Sequence, residues 1–167
     1  MNELLAGIDK KALRDGFVAL LRARLEGAEG AARAIAASAT HEESRPENDK
    51  DTRAIEESYL ARGQAQRAAD LSHEVALLGT LPLQDFDGDR PLASGALVAL
   101  ENDAGAVRIV LMAPAGGGLR LPVGDRTVDL VTPGSPLGQA LLGKEEGDEL
   151  VLKAAGRVVE WSIVEAR

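Results

Sequence analysis

The sequence predicts an α+β protein: an N-terminal antiparallel helical hairpin of coiled-coil type, followed by a small domain of short strands and one short helix. Three observations carry this. Apolar residues recur at spacings of three, four and seven over two long N-terminal stretches. An acidic, proline-containing segment separates those stretches. Beyond residue 79 the pattern changes to short apolar runs broken by Gly, Pro, Asn and Asp. The organisation read from these signals is a hairpin over 1–78 with its tip at 41–51, a linker over 79–95 and a C-terminal domain over 96–167.

Asp9 is a candidate N-cap for a first helix through about residue 38. Its apolar positions are Leu13, Phe17, Leu20, Leu21, Leu25, Ala28, Ala32 and Ile35. A second helix is expected from Asp51 or Thr52 to about Leu78. Its looser stripe comprises Ile55, Tyr59, Leu60, Ala68, Leu71, Val75 and Leu78, interrupted by Gln64. Neither stripe stabilises a lone helix well, so each helix should bury its face against the other. Arms of roughly 27 residues would form a rod about 40 Å long.

The loop between the arms, residues 39–52, holds Glu42, Glu43, Glu47, Asp49 and Asp51 against Arg45 and Lys50. Taken alone, such a loop is usually a solvated turn, and Asp49 and Asp51 suit the positive end of the second helix. His41 reads as exposed surface, His73 as a hydrogen-bonding side chain and Tyr59 as a packing residue.

In the C-terminal part, strands are expected at Leu97 to Glu101 and Val107 to Ala113, around the turn Asn102 to Gly105. A further short pair, Arg120 to Pro122 and Thr127 to Val131, surrounds Gly124-Asp125. Ser135 can cap a short helix with Pro136 at its first position, and Gly143 can stop it. Two runs, Glu149 to Lys153 and Arg157 to Glu165, form a closing hairpin around Ala155-Gly156. The strand count for the domain is four or five. Trp161, alternating with Val159 and Ile163, belongs to the core.

Composition excludes several classes of function. The chain has 167 residues and a formal net charge of -8. Residues 1–78 carry 11 basic and 14 acidic side chains, and residues 79–167 carry 8 and 13, so neither half is a basic nucleic-acid footprint. Cysteine is absent, which removes disulfides, thiol chemistry and cysteine metal sites, and fits a cytoplasmic protein. No stretch reads as a signal peptide or membrane span. DFDGD lacks the later ligands of a calcium loop, AGGG lacks the Gly-Lys-Ser/Thr of a phosphate cradle, and Ser135 has no histidine in its domain. The residues point to action by contact. A monomer is expected, because the two arms satisfy each other's apolar faces.

SPLGQALLG (residues 135–143), then KEEGDEL (144–150) and a closing hairpin, resembles the end of the bacterial Gre transcript-cleavage factors. With the helical front end, the resemblance covers most of the chain. It implies an FKBP-like C-terminal domain without isomerase function, docking on the rim of bacterial RNA polymerase. Lys144, Glu145, Glu146 and Asp148 are the docking candidates. It further implies a hairpin that enters the polymerase secondary channel, where tip acids help hold a catalytic Mg2+ and activate water for cleavage of backtracked RNA. The family's tip pattern is an aspartate, two residues, then Glu-Asn. Glu47-Asn48 matches that pair, while Ser44 stands where the aspartate is expected and Glu43 and Glu42 are the nearest acids. Glu43 and Glu47 are thus the catalytic and metal-binding candidates, with Asn48, Glu42 and Asp49 supporting the tip. The Mg2+ would be shared with the polymerase active site, and the free protein would bind none.

Three functions follow: a transcription elongation factor that stimulates RNA cleavage, a non-cleaving channel binder that inhibits or modulates the polymerase, and a chaperone-like adaptor gripping an unrelated protein.

Overall fold

Helix α1 (Lys10–Glu42) starts where Asp9 Oδ1 accepts the main-chain N–H groups of Lys11 at 2.7 Å and Ala12 at 3.1 Å. Asp9 is therefore the cap expected from sequence. The computed structural model describes residues 3–42 and 50–167, and α1 runs to the end of the first of these segments. Helix α2 (Lys50–Gly79) starts within two residues of the expected position. Two compact units result: Met1–Val18 with Ala76–Arg167, and Ala19–Val75.

Covered residues along α1 follow helical spacing through Phe17, Leu21, Leu25, Ala28, Ala32 and Ile35, all on the expected stripe. Helix α2 departs from the reading. Its covered residues include Glu57, Ala61, Gln64, Ala68, Leu71, Val75 and Leu78, an alternation of four and three, with Glu74 and Leu77 beside them. Ile55, Tyr59 and Leu60 are 54%, 68% and 59% exposed. Leu71, Val75 and Leu78 set the spacing at the C-terminal end of α2. Extending it backwards in heptad steps lands on Ala61 and Glu57, so the three large side chains fall off the seam. Tyr59 is accordingly not a packing residue, whereas Gln64 sits on the seam as expected.

In the other unit, a mixed six-stranded sheet forms from β1 (Leu97–Asn102), β2 (Val107–Met112), β3 (Arg120–Val123), β4 (Arg126–Val131), β5 (Glu149–Ala154) and β6 (Arg157–Ala166). Helix α3 (Pro136–Leu141) connects β4 to β5. The sheet order is β3-β4-β2-β1-β6-β5, with β2 and β4 parallel and the other neighbours antiparallel. All six runs named from sequence form strands, against the count of four or five. The four-residue β3 joins as an edge, the place where its Pro122 is tolerated.

The core of this unit packs Val98, Leu100, Val110, Met112, Leu137, Leu141, Leu150 and Ile163, with Trp161 and Leu152 at its margin. Residues 80–95 form no regular element, yet Phe86 and Leu92 are 1% exposed and belong to this core. The segment is thus anchored on apolar side chains, each worth about 1.5–3 kcal/mol when fully buried.

Candidate functional site

The stretch Ser135 to Asp148 is built by local chemistry. Ser135 Oγ accepts the Gly138 N–H at 3.1 Å and donates to the Thr132 carbonyl at 2.8 Å. The Ser135 N–H reaches the same carbonyl at 3.0 Å. Pro136 occupies the first turn, where no N–H is needed. Leu137 and Leu141 face the core. Gly138 is required for space: a Cβ there would lie 1.9 Å from the Thr132 oxygen. Gly143, with φ of 78°, ends the motif and donates its N–H to Leu92 O at 2.8 Å.

The following turn carries the four docking candidates. Lys144 O accepts from Leu92 N at 2.7 Å. Asp148 Oδ2 accepts the Glu145 N–H at 2.9 Å, closing the turn on itself. Glu146 Oε2 accepts the Ala166 N–H at 3.0 Å, tying the turn to the last strand. Lys144 and Glu145 are half-buried, while Glu146 and Asp148 are exposed. The turn is a fixed acidic projection, because two of its three carboxylates hold main-chain N–H groups.

The tip acids stand differently. Glu43, Glu47, Asn48 and Asp49 lie outside the described residues, as does Ser44. Glu42 is the last residue of α1, and its side chain also falls outside the description. Among the described residues no cluster of three or more His, Cys, Asp or Glu could hold a metal ion. His73 is exposed on α2.

Two polar clusters escape the sequence reading. Lys10 is only 8% exposed, and its Nζ donates to Gln84 O at 2.5 Å and Arg167 O at 2.9 Å, 5.5 Å from the Phe86 ring centroid. Burial holds its pKa below the usual lysine value, opposed by Asp85 and assisted by Arg167 and Arg90. The second cluster lines a groove of about 1280 Å³ along β2, β3 and β4. There Asp129 pairs with Arg108 at 3.1 Å and Arg120 at 2.8 Å. Arg126 donates to Leu4 O at 2.6 Å and Ala6 O at 2.8 Å, fastening the N-terminal segment. The available signal was Arg108 inside the apolar run VRIVLM. An arginine there needs an acceptor, but the parallel neighbour that provides one cannot be read locally.

The fold defines a class of protein: two long N-terminal helices leading into a mixed-sheet domain that carries a capped Ser-Pro-Leu-Gly corner. The comparisons narrow it. Residues 123–167 match the family model described as "Transcription elongation factor, GreA/GreB, C-term". Two curated relatives are GreA transcription elongation factors. The one from Neisseria meningitidis serogroup B is 27% identical over 105 residues, 60% of this chain and 61% of the relative. The one from Pseudomonas syringae pv. tomato is 41% identical over 49 residues, 27% of this chain and 31% of the relative. Neither match spans two thirds of the relative's length. A solved structure of GreA factor homolog 1 from Thermus thermophilus covers 94% of both chains at 20% identity, with a TM-score of 0.38. The chain is Gre-like, and its C-terminal domain carries the likeness.

No described helix is long and apolar enough to cross a membrane.

Proposed function

We propose that this chain is a transcription elongation factor that binds bacterial RNA polymerase through the secondary channel and stimulates cleavage of backtracked RNA. The observation that carries the proposal is the Gre C-terminal match over 123–167, on a chain whose first half is two long helices flanking an acidic segment. In this reading the 144–148 turn docks on the polymerase, presenting Glu146 and Asp148 from a scaffold that hydrogen bonds hold rigid. Glu47, with Glu43, would supply carboxylate oxygens to a Mg2+ ion shared with the polymerase active site, and that ion would supply charge stabilisation and an activated water. Asn48 orients the tip, flanked by Glu42 and Asp49.

A second reading is favoured by one residue: Ser44 stands where the family pattern has an aspartate. A misplacement of about 1 Å can cost roughly a hundredfold in rate. A tip that offers one acid in place and another displaced would bind the channel without supporting cleavage.

The deciding experiment uses reconstituted, artificially backtracked bacterial RNA polymerase with and without the protein, together with a pull-down from the same sample. Mg2+-dependent cleavage that disappears in Glu47→Gln supports the first reading. Binding without cleavage establishes the second, and absence of binding refutes both.

A further inference from the structure

The sheet has two ends, and they are finished differently. At one end, β3 is four residues long and contains Pro122, which blunts the edge against strand addition. At the other end lies β5, six residues long and without proline, with β6 as its one neighbour in the sheet among the described residues.

The hairpin geometry fixes which groups β5 leaves open. The Ala155-Gly156 turn has φ of 50° and 74°, both positive, as a type I′ connection requires. Residues flanking such a turn exchange both main-chain hydrogen bonds, and the exchange recurs at every second pair. Here those pairs are Ala154 with Arg157, Leu152 with Val159 and Leu150 with Trp161. The bond from Ile163 N–H to Asp148 O, at 2.8 Å, continues the alternation. Glu149, Val151 and Lys153 therefore turn their N–H and C=O groups away from β6, to the open edge. Their side chains share one face of the sheet with Val158, and that face is wet: Val151 is 52% exposed and Val158 is 62% exposed.

The order of these residues makes the edge complementary to itself. Around Val151, Leu150 and Leu152 are equivalent, and Glu149 mirrors Lys153 with opposite charge. We propose that β5 pairs antiparallel with β5 of a second copy of this chain, across a two-fold axis at Val151. In that register Val151 meets Val151 of the partner copy, and Glu149 meets the partner's Lys153 at both ends. Every open main-chain group of the three residues gains a partner. An isologous contact of this kind closes on itself and stops at two copies. The interface is small, below the roughly 1,200 Å² of standard complexes, so the dimer is weak, with Kd on the order of 10–100 μM.

Sedimentation equilibrium on the full chain, from about 5 μM to about 1 mM, tests this directly. The expected result is a mass rising from one chain to two and no further. Val151→Lys sets two like charges on the axis at a position already exposed, and should raise Kd at least about tenfold. Lys153→Glu should do the same, and Glu149→Lys with Lys153→Glu should restore pairing to within about threefold. Amide exchange of Val151 provides a second readout in the unmodified protein, since its protection should rise with concentration. A single-chain mass throughout, a dimer indifferent to Val151→Lys, or failure of the charge swap to restore pairing overturns the proposal. Growth beyond two copies also overturns it.

Discussion

Replacing Gly138 by alanine separates two opposing effects whose balance can be worked out in advance. In a helix interior, alanine is favoured over glycine by about 1 kcal/mol. Gly138 lies within α3 and has no positive φ, so the backbone itself does not object. Space does. The new Cβ would sit 1.9 Å from the Thr132 oxygen, so helix and carbonyl must part by about 1 Å. That carbonyl accepts both the N–H and the Oγ–H of Ser135, and Ser135 Oγ in turn caps the Gly138 N–H. Two hydrogen bonds at about 1 kcal/mol each, and a cap worth about 0.5–2 kcal/mol, are stretched together. Set against the helix gain, with packing strain added, the net loss is about 2–4 kcal/mol. Urea unfolding of the full chain, followed by Trp161 fluorescence, should show a midpoint lower by about 1–2 M. Gly134→Ala is the control, because nothing lies within 4 Å of its Cβ and its φ is ordinary. A Gly138→Ala midpoint equal to that of Gly134→Ala would refute the close-approach argument.

Ala155 pays for a left-handed conformation, φ 50°, without a side chain that favours it, so Ala155→Asn should stabilise the hairpin by about 1 kcal/mol, read as a higher Tm. Lys10 holds its proton less tightly when folded than its usual value near 10.5, so the unfolded chain binds more protons in the window below 10.5. Stability from this group therefore rises with pH across that window, and Lys10→Met should flatten the rise in urea midpoints measured at a series of alkaline pH values. Asp15 gives a slope of the same sign on the acid side: its bonds to Arg14 and then Lys11 hold its pKa below 3.8, so its contribution is present above that pH and fades as pH falls and the folded carboxylate protonates. Asp15→Asn should remove that small acid-side slope in the same assay. Glu47→Gln, in the cleavage assay described above, should abolish stimulation while leaving the unfolding free energy within about 0.5 kcal/mol of the parent.

What was legible in the sequence is what local chemistry determines. The Asp9 cap, the Gly124-Asp125 and Ala155-Gly156 turns, and the Ser135-Pro136 helix start each carry their own signal within four residues. Ile55, Tyr59 and Leu60 are larger than the covered residues of α2, so size points to the wrong face, whereas the four-three spacing points to the covered one. Nothing in the sequence marks Lys10, because its acceptors at Gln84 and Arg167 are supplied by tertiary structure alone. The Arg108–Asp129–Arg120 cluster was hidden for the same reason.

The motif that carries the Gre likeness is also the part of the chain most completely explained by architecture. Ser135 caps, Pro136 opens the helix, Leu137 and Leu141 fill the core, Gly138 clears a carbonyl, Gly143 turns the chain, and Asp148 closes the loop after it. Each residue type is accounted for without any partner. Likeness over this stretch therefore speaks to the domain, and the proposed cleavage must be carried by residues outside it, whose removal costs no stability. Gly138→Ala and Glu47→Gln divide along that line. The first should lower the unfolding midpoint and weaken polymerase binding only as far as the fold is lost. The second should leave the fold and the binding intact and abolish cleavage. A protein in which Glu47→Gln unfolds the chain, or in which Gly138→Ala abolishes binding while the midpoint holds, would require the roles of the two regions to be exchanged.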